Sequence, residues 1–339
     1  MITGGAGFIG CNLSQRLLER GEEVVVFDDL SRPGSSRNLA WLQSLPAAHQ
    51  LRFVQGDIRD SGAVVEAAQG AVRVYHLASQ VAVTTSVLDP RLDFETNALG
   101  TFNALEAARQ SGTVEAFLYS STNKVYGGLE ELRIEELATR YALADLPLGI
   151  SEQQQLDFHS PYGCSKGAGD QYVRDYHRIY SLPTVVLRQS CIYGQRQMGM
   201  EDQGWLAWFV IAAQRDDPIT IYGDGKQIRD VLHVDDLLDA YDAAVDDIER
   251  AAGEVFNVGG GVGSSLSVWQ EFGPMLEELL GRPIGVRSAG WRPGDQKIYV
   301  SDIRKAETLL GWRPRISLEV GLQRLVDWVR GNAELFAGS

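Results

Sequence analysis

Five short runs rich in β-branched and aromatic residues punctuate the first half of the chain: VVVFDD at 24–29, LRFVQGD at 51–57, RVYHLAS at 73–79, AFLYSST at 116–122 and TVVLRQS at 184–190. Most of each run is continuously apolar, as expected of strands covered on both faces. Between them the apolar residues fall at helical spacing. Residues 97–111, for example, carry Leu99, Phe102, Ala104, Leu105 and Ala108 in that pattern. Strand alternating with helix predicts an α/β fold built on a doubly wound parallel sheet. Only Met1, Ile2 and Thr3 precede the first glycines, whereas a strand normally runs to about five or six residues. Either the innermost strand is unusually short or the native start lies upstream of Met1.

Beyond Arg188 the alternation breaks into PITIYGDGKQIRDVLHVDDL, a long GEVFNVGGGVGSS turn region and a closing stretch that contains GWRP twice. This predicts a larger sheet domain over 1–187 and 228–250, with a smaller C-terminal lobe from 188–227 and 251–339. Residues 128–157 form an acidic insertion, expected to be partly helical, solvent-facing and able to act as a lid.

The length allows a large core, and a net charge of −14 excludes partners that demand a basic face, nucleic acid and anionic membrane among them. A small anionic substrate stays compatible if a few arginines gather locally. Cys11, Cys164 and Cys191 are too few and too scattered to form a metal set, so no metal is expected, and the odd count suits a reducing compartment. Without a signal peptide or a spanning apolar run, the expected location is the cytoplasm.

Gly4, Gly7 and Gly10 recur at three-residue intervals where a strand should give way to a helix. Glycines there permit a tight turn and close approach of backbone to a pyrophosphate, and the helix N-terminus offers free amides to the anion. Asp28 ends the next strand, where a carboxylate binds ribose hydroxyls; with Asp29 beside it a 2′-phosphate would be repelled, which favours NAD over NADP. Asp57 ends the second run, LRFVQGD, placed either to accept from an adenine amino group or to cap a helix. Asn97, ahead of an apolar helical pattern, is equally read as a cap or a cofactor contact.

Tyr162 and Lys166 stand four residues apart in HSPYGCSKGAGDQYVRDYH, on one face of a helix. An ammonium near a phenol favours the phenolate, so the pair suits proton transfer, although the same spacing also arises by chance. Ser120, Ser121 and Thr122 end the AFLYSST strand, on the side where open parallel sheets bind ligands. Arg196, Lys226, Arg229, Arg292 and Arg304 are scattered through the second half; Arg229 and Arg292 flank turn residues, a setting for forked bonds to a diphosphate. His159 is the histidine expected near the chemistry.

Together the glycine loop, Thr122 and the Tyr162–Lys166 pair resemble the extended short-chain dehydrogenase/reductase family over essentially the whole chain. That resemblance implies a Rossmann-type NAD-binding domain and a smaller lobe that binds a nucleotide sugar. It assigns catalysis to Tyr162, Lys166 and Thr122, and cofactor contacts to Gly4, Gly7, Phe8, Ile9, Gly10, Asp28, Asp57, Ile58, Ala78, Asn97 and Lys166. Substrate contacts fall to Thr122, Asn123, Gln189, Arg229, Arg292 and Asp295, with the two arginines on the diphosphate and Asp295 on the nucleotide ribose. The words SSTNKVYG, LRQSCIYG, EDQGWLAWF and GDGKQIRDVLHVDDL look most like CDP-paratose 2-epimerases, which implies inversion at sugar C2 through a 2-keto intermediate. A UDP-hexose 4-epimerase is the alternative. Related 4,6-dehydratases carry an Asp-Glu pair after the catalytic hydroxyl residue; Asn123 and Lys124 stand there instead. Cys191 replaces a frequent asparagine, so no amide contacts the diphosphate at that position. Similar proteins form homodimers or homotetramers, and the same is expected here.

Overall fold

Each of the five apolar runs is a strand. The computed structural model describes residues 1–292 and 295–336. In it β1 (Ile2–Thr3), β2 (Val24–Asp28), β3 (Leu51–Gln55), β4 (Arg73–His76), β5 (Ala116–Thr122), β6 (Thr184–Gln189) and β7 (Val255–Val258) form one parallel sheet. Its order is β7-β6-β5-β4-β1-β2-β3. The strand order reverses between β1 and β4, and ligands of open α/β sheets bind at such a switch point, beyond the carboxyl ends of the strands. β1 is indeed only two residues long, yet it pairs with β2 on one side and β4 on the other.

Helices cover both faces, which explains the unbroken apolar runs. On one face Leu13, Leu17 and Leu18 of the Phe8–Glu19 helix pack with Leu237, Leu238 and Tyr241 of the Val234–Asp246 helix. On the other, Val64, Leu105, Val173 and Tyr176 come from three further helices. Each fully buried side chain of this kind stabilises the fold by roughly 1.5–3 kcal/mol. The 97–111 pattern is helical, but its opening differs from expectation. Pro90–Phe94 is already helical, Glu95–Leu99 forms one wider π-helical turn, and Gly100–Ser111 continues from it. Asn97 therefore lies inside a helix and caps nothing.

In the smaller lobe, Ile228–His233 pairs in parallel with Cys191–Tyr193 and Ile298–Tyr299, and antiparallel with Ser265–Ser267. Ile219–Tyr222 pairs separately with Val286–Ala289. Hydrogen bonding thus crosses both expected boundaries. The strand at 228–233 belongs with the smaller sheet, while β7, placed in the lobe by its position after 251, extends the large sheet beside β6. The two glycine-rich segments around these strands hid the pairing, because register is set by partners distant in sequence.

The 128–157 insertion is not helical. It holds a hairpin, Ile134–Glu136 against Tyr141–Leu143, and Leu129, Leu132, Leu143, Leu146, Ile150 and Leu156 fold inward around Tyr126 and Tyr299. Arg140 to Glu271, Lys226 to Glu136 and Tyr141 to Asp224 tie it to the smaller lobe. None of its residues lines the cavity described below.

Candidate active site

The turn from β1 into the Phe8–Glu19 helix leaves no room for side chains. Gly4 has φ +67°, and a Cβ there would lie 2.8 Å from the Ala78 amide nitrogen; a Cβ on Gly10 would drive into the Gly4 carbonyl. Gly7 caps the helix without any side-chain hydrogen bond, and the first turn carries no acid. The free amides at this helix end form an anion site. Asp28, 8 % exposed, accepts from the Ala6 amide at 3.0 Å and the Leu30 amide at 2.8 Å, and burial pushes its carboxyl above the usual range. Asp29 folds back onto Ser31 instead.

A cavity of about 790 Å³ runs from this turn, across the ends of β5 and β6, into the smaller lobe. Gly4, Gly7, Phe8, Ile9, Gly10, Asp28, Asp57, Ile58 and Ala78 line it beside the glycine turn. Thr122, Asn123, Tyr162, Lys166 and Gln189 line it at the sheet ends, and Arg229, Arg292 and Asp295 in the smaller lobe. Of the residues that the family resemblance assigned to the site, Asn97 alone is absent from the wall. Its buried amide instead bonds the Gln80 amide and carbonyl, the Ser79 and Ser165 hydroxyls and Asp93. It fixes the loop after β4 against the Ser160–Tyr180 helix.

Tyr162 sits in the first turn of that helix. Burial pushes its phenol up to about 12, against a hydrogen bond with the Thr122 hydroxyl and the charge of Arg32, which pull it down. Lys166, one turn further on, donates to the Ser120 carbonyl at 2.6 Å, lies 4.4 Å from the centre of the Tyr119 ring, and is brought by burial to about 7. In the free enzyme the Lys166 side chain donates to the β5 carbonyl, and the charge of Arg32 also favours the phenolate. Arg32 was missed, although a basic residue four positions after Asp28 in the LSRPGSS turn was a signal for it. Its guanidinium reaches across the cavity to Gln203.

All three hydroxyl residues ending β5 line the cavity. The Ser121 hydroxyl is taken by Asp170 at 2.8 Å, and Asp170 forms a two-pronged pair with Arg188 at 2.9 Å, both fully buried. Asp93, also missed, accepts from Ser165 at 2.5 Å and Gln80 at 2.8 Å, and its charge favours the Lys166 ammonium. Asp57 caps nothing, since Asp60 caps the next helix; it is forked to Arg59 on the wall, which holds its carboxyl below the usual range. His159 is exposed and off the wall. Lys226 and Arg304 are held in surface ion pairs, and Arg196 stacks on Trp41 at the cavity edge.

In the smaller lobe Arg229 donates to Asp295 at 2.7 Å and to the Gln296 carbonyl at 2.8 Å. Arg292 stacks 3.7 Å over the Tyr222 ring and bonds the Glu201 carbonyl. Gln197 and Gln227 line the same region, each with a buried side-chain oxygen that has no hydrogen-bond donor among the described residues. Such orphan acceptors cost free energy unless a ligand satisfies them. Cys191 is a free thiol on the wall, raised by burial.

The family model for GDP-mannose 4,6 dehydratase matches residues 1–325. A CDP-paratose 2-epimerase of Salmonella typhi is 45% identical over 97% of this chain and 98% of its own length. Among solved structures, a dTDP-glucose 4,6-dehydratase of Streptomyces venezuelae, described with NAD bound, superposes with a TM-score of 0.84 at 32% identity, covering 98% of this chain and 97% of that one. A UDP-glucose 4-epimerase of Thermotoga maritima with UDP-glucose gives 0.83 at 32% identity over 98% of each chain. The glycine cradle, the Tyr162–Lys166 helix and a match along almost the full length agree: the chain belongs to the GDP-mannose 4,6-dehydratase family of extended short-chain dehydrogenases/reductases.

Proposed function

We propose that this protein epimerises a nucleotide-linked sugar at C2 through a transient 2-keto intermediate, with NAD retained throughout, in the manner of CDP-paratose conversion to CDP-tyvelose. The observation that carries this reading is the shared wall: the Thr122 and Tyr162 hydroxyls open onto the same cavity as the glycine cradle. The glycine-rich turn, its unpaired amides and the buried Asp28 carboxylate fit a dinucleotide, which Asp57, Ile58 and Lys166 on the same wall would also help to hold. When bound, NAD takes hydride from the sugar carbon and gives it back.

Tyr162 removes the proton from the C2 hydroxyl and later returns it, while Thr122 holds the reacting oxygen beside the phenol. Lys166 and Arg32 supply the positive charge that favours the phenolate during transfer. Arg229, Arg292 and Asp295 hold the nucleotide portion, so the sugar can turn over between the two hydride steps without leaving. Asn123 and Lys124 offer no carboxylates to expel water from the sugar, which disfavours dehydration. The Salmonella relative supports the C2 assignment by its degree of identity. Exposed Phe102 and Tyr172, in edge-to-face contact on two neighbouring helices, support pairing of two copies of the chain, which light scattering would measure.

A panel of CDP-, UDP- and GDP-sugars tests the reading directly. The expected product is inverted at C2, and in deuterated solvent it carries no deuterium there. Inversion at C4 would replace this reading with a 4-epimerase, and deuterium at C2 would replace internal redox with direct deprotonation.

A further inference from the structure

We propose that Lys124 is a substrate-binding cation of this site, its ammonium taking the phosphoryl group that carries the sugar. The inference rests on the nucleotide-sugar reading above and deepens it.

Lys124 follows Thr122 by two residues, in the short turn Asn123–Tyr126, and its amide bonds the Thr122 hydroxyl at 3.3 Å. Its backbone is thereby fixed to the catalytic strand end. The side chain lies on the cavity wall. Nζ makes one hydrogen bond, to Gln296 Oε1 at 3.1 Å. Gln296 is buried and in turn donates to the Gly127 carbonyl, so the anchor has a set orientation. Two of the three ammonium protons are left to the cavity.

Among the described residues no carboxylate pairs with Lys124, whereas Arg229 is paired with Asp295 and also donates to two backbone carbonyls. The three facing charges, Lys124 and Arg229 against Asp295, sum to plus one. Burial, then Arg229, lower the Lys124 ammonium to about 8, while Asp295 and the Cys191 thiol act the other way. An ammonium removed from water without a counter-ion is costly, and an anionic ligand repays that cost. A neutral sugar hydroxyl would leave the charge unmatched; a phosphoryl oxygen matches it. The position agrees. Lys124 stands between Thr122, where the sugar reacts, and Arg229, where the smaller lobe begins, and the sugar-bearing phosphate of a nucleotide sugar spans that junction. Holding it there leaves the sugar free to turn about its glycosidic bond.

The test is calorimetric titration of wild-type, Lys124→Met and Lys124→Arg holoenzymes with cytidine, uridine and guanosine diphosphates, none of which carries a sugar. For the nucleoside diphosphate that the wild type binds, Lys124→Met should weaken affinity about tenfold or more, and Lys124→Arg should recover most of it. NAD released on denaturation should be equal in all three, which shows the fold intact. Wild-type affinity should also fall from about pH 7 to about pH 9 as the ammonium deprotonates, and Lys124→Met should lose that dependence. Equal nucleoside diphosphate affinity in Lys124→Met and wild type would overturn the inference and leave the nucleotide-sugar reading standing. No binding of any of the three diphosphates to the wild type would overturn both.

Discussion

The Lys166 ammonium donates to the Ser120 carbonyl at 2.6 Å, which ties the catalytic helix to the strand that carries Thr122. Burial brings this lysine to about 7, against about 10.4 in an unfolded chain. Between those values the native state binds fewer protons than the unfolded state, so stability contributed at this position rises with pH across the window. Its unfavourable effect is fullest below about pH 7. Lys166→Met has no ammonium to desolvate. Urea unfolding should therefore show wild type gaining stability relative to Lys166→Met between about pH 7 and pH 10; a constant difference would mean the ammonium is not desolvated.

Arg32 offers a separate prediction, because its charge lowers the Tyr162 phenol that burial has pushed up to about 12. Tyr162→Phe should lose about 10²- to 10⁴-fold in turnover with NAD content unchanged. Arg32→Gln keeps the phenol but removes the cation. Its turnover should fall less, and the limb of the pH–rate profile that reports the phenol should move to higher pH. A fall in turnover with an unmoved limb would mark Arg32 as a bridge to Gln203 only.

The sequence made the sheet legible because a strand covered on both faces must be apolar throughout, and such runs survive without any knowledge of partners. The cavity wall was legible for a related reason: glycine spacing and the Tyr162–Lys166 interval are local geometry. What escaped was set by distant contacts. Asn97 reads as a cap until Gln80 and Ser165 are seen to claim its amide. The 128–157 insertion reads as partly helical, and only its cross-strand partners, Ile134–Glu136 against Tyr141–Leu143, reveal a hairpin. Arg32 and Asp93 act on groups more than 70 positions away, and no spacing rule connects them.

The Asp170–Arg188 pair illustrates a further distant contact with a measurable price. Arg188 is 2% and Asp170 0% exposed, so removing one partner strands the other charge in a dry interior. Arg188→Met should destabilise the fold by about 3–5 kcal/mol. Asp170→Asn combined with Arg188→Met should recover part of that loss, because no charge is then left buried. Chemical denaturation of the two variants gives the comparison, and equal losses would show that Asp170 is satisfied by its other donors, Ser121 and Gln171.

Gly10 and Gly263 give the sharpest comparison between two glycines. An added methyl at Gly10 meets the Gly4 carbonyl and lies 2.6 Å from the Gly5 α-carbon, all of it backbone that cannot rotate away; at Gly263 it meets nothing. Alanine improves helix propensity at Gly10 by about 0.8–1.0 kcal/mol, but overpacking typically costs about 1–3 kcal/mol, so the clash wins. The turn can escape only by displacing Gly4 and Gly5, the very atoms that shape the cradle. Gly10→Ala should therefore release most of its NAD on gel filtration and melt at lower temperature, while Gly263→Ala stays within about 0.5 kcal/mol of wild type. Retention of NAD by Gly10→Ala at the wild-type level would show that the dinucleotide does not rest on this turn.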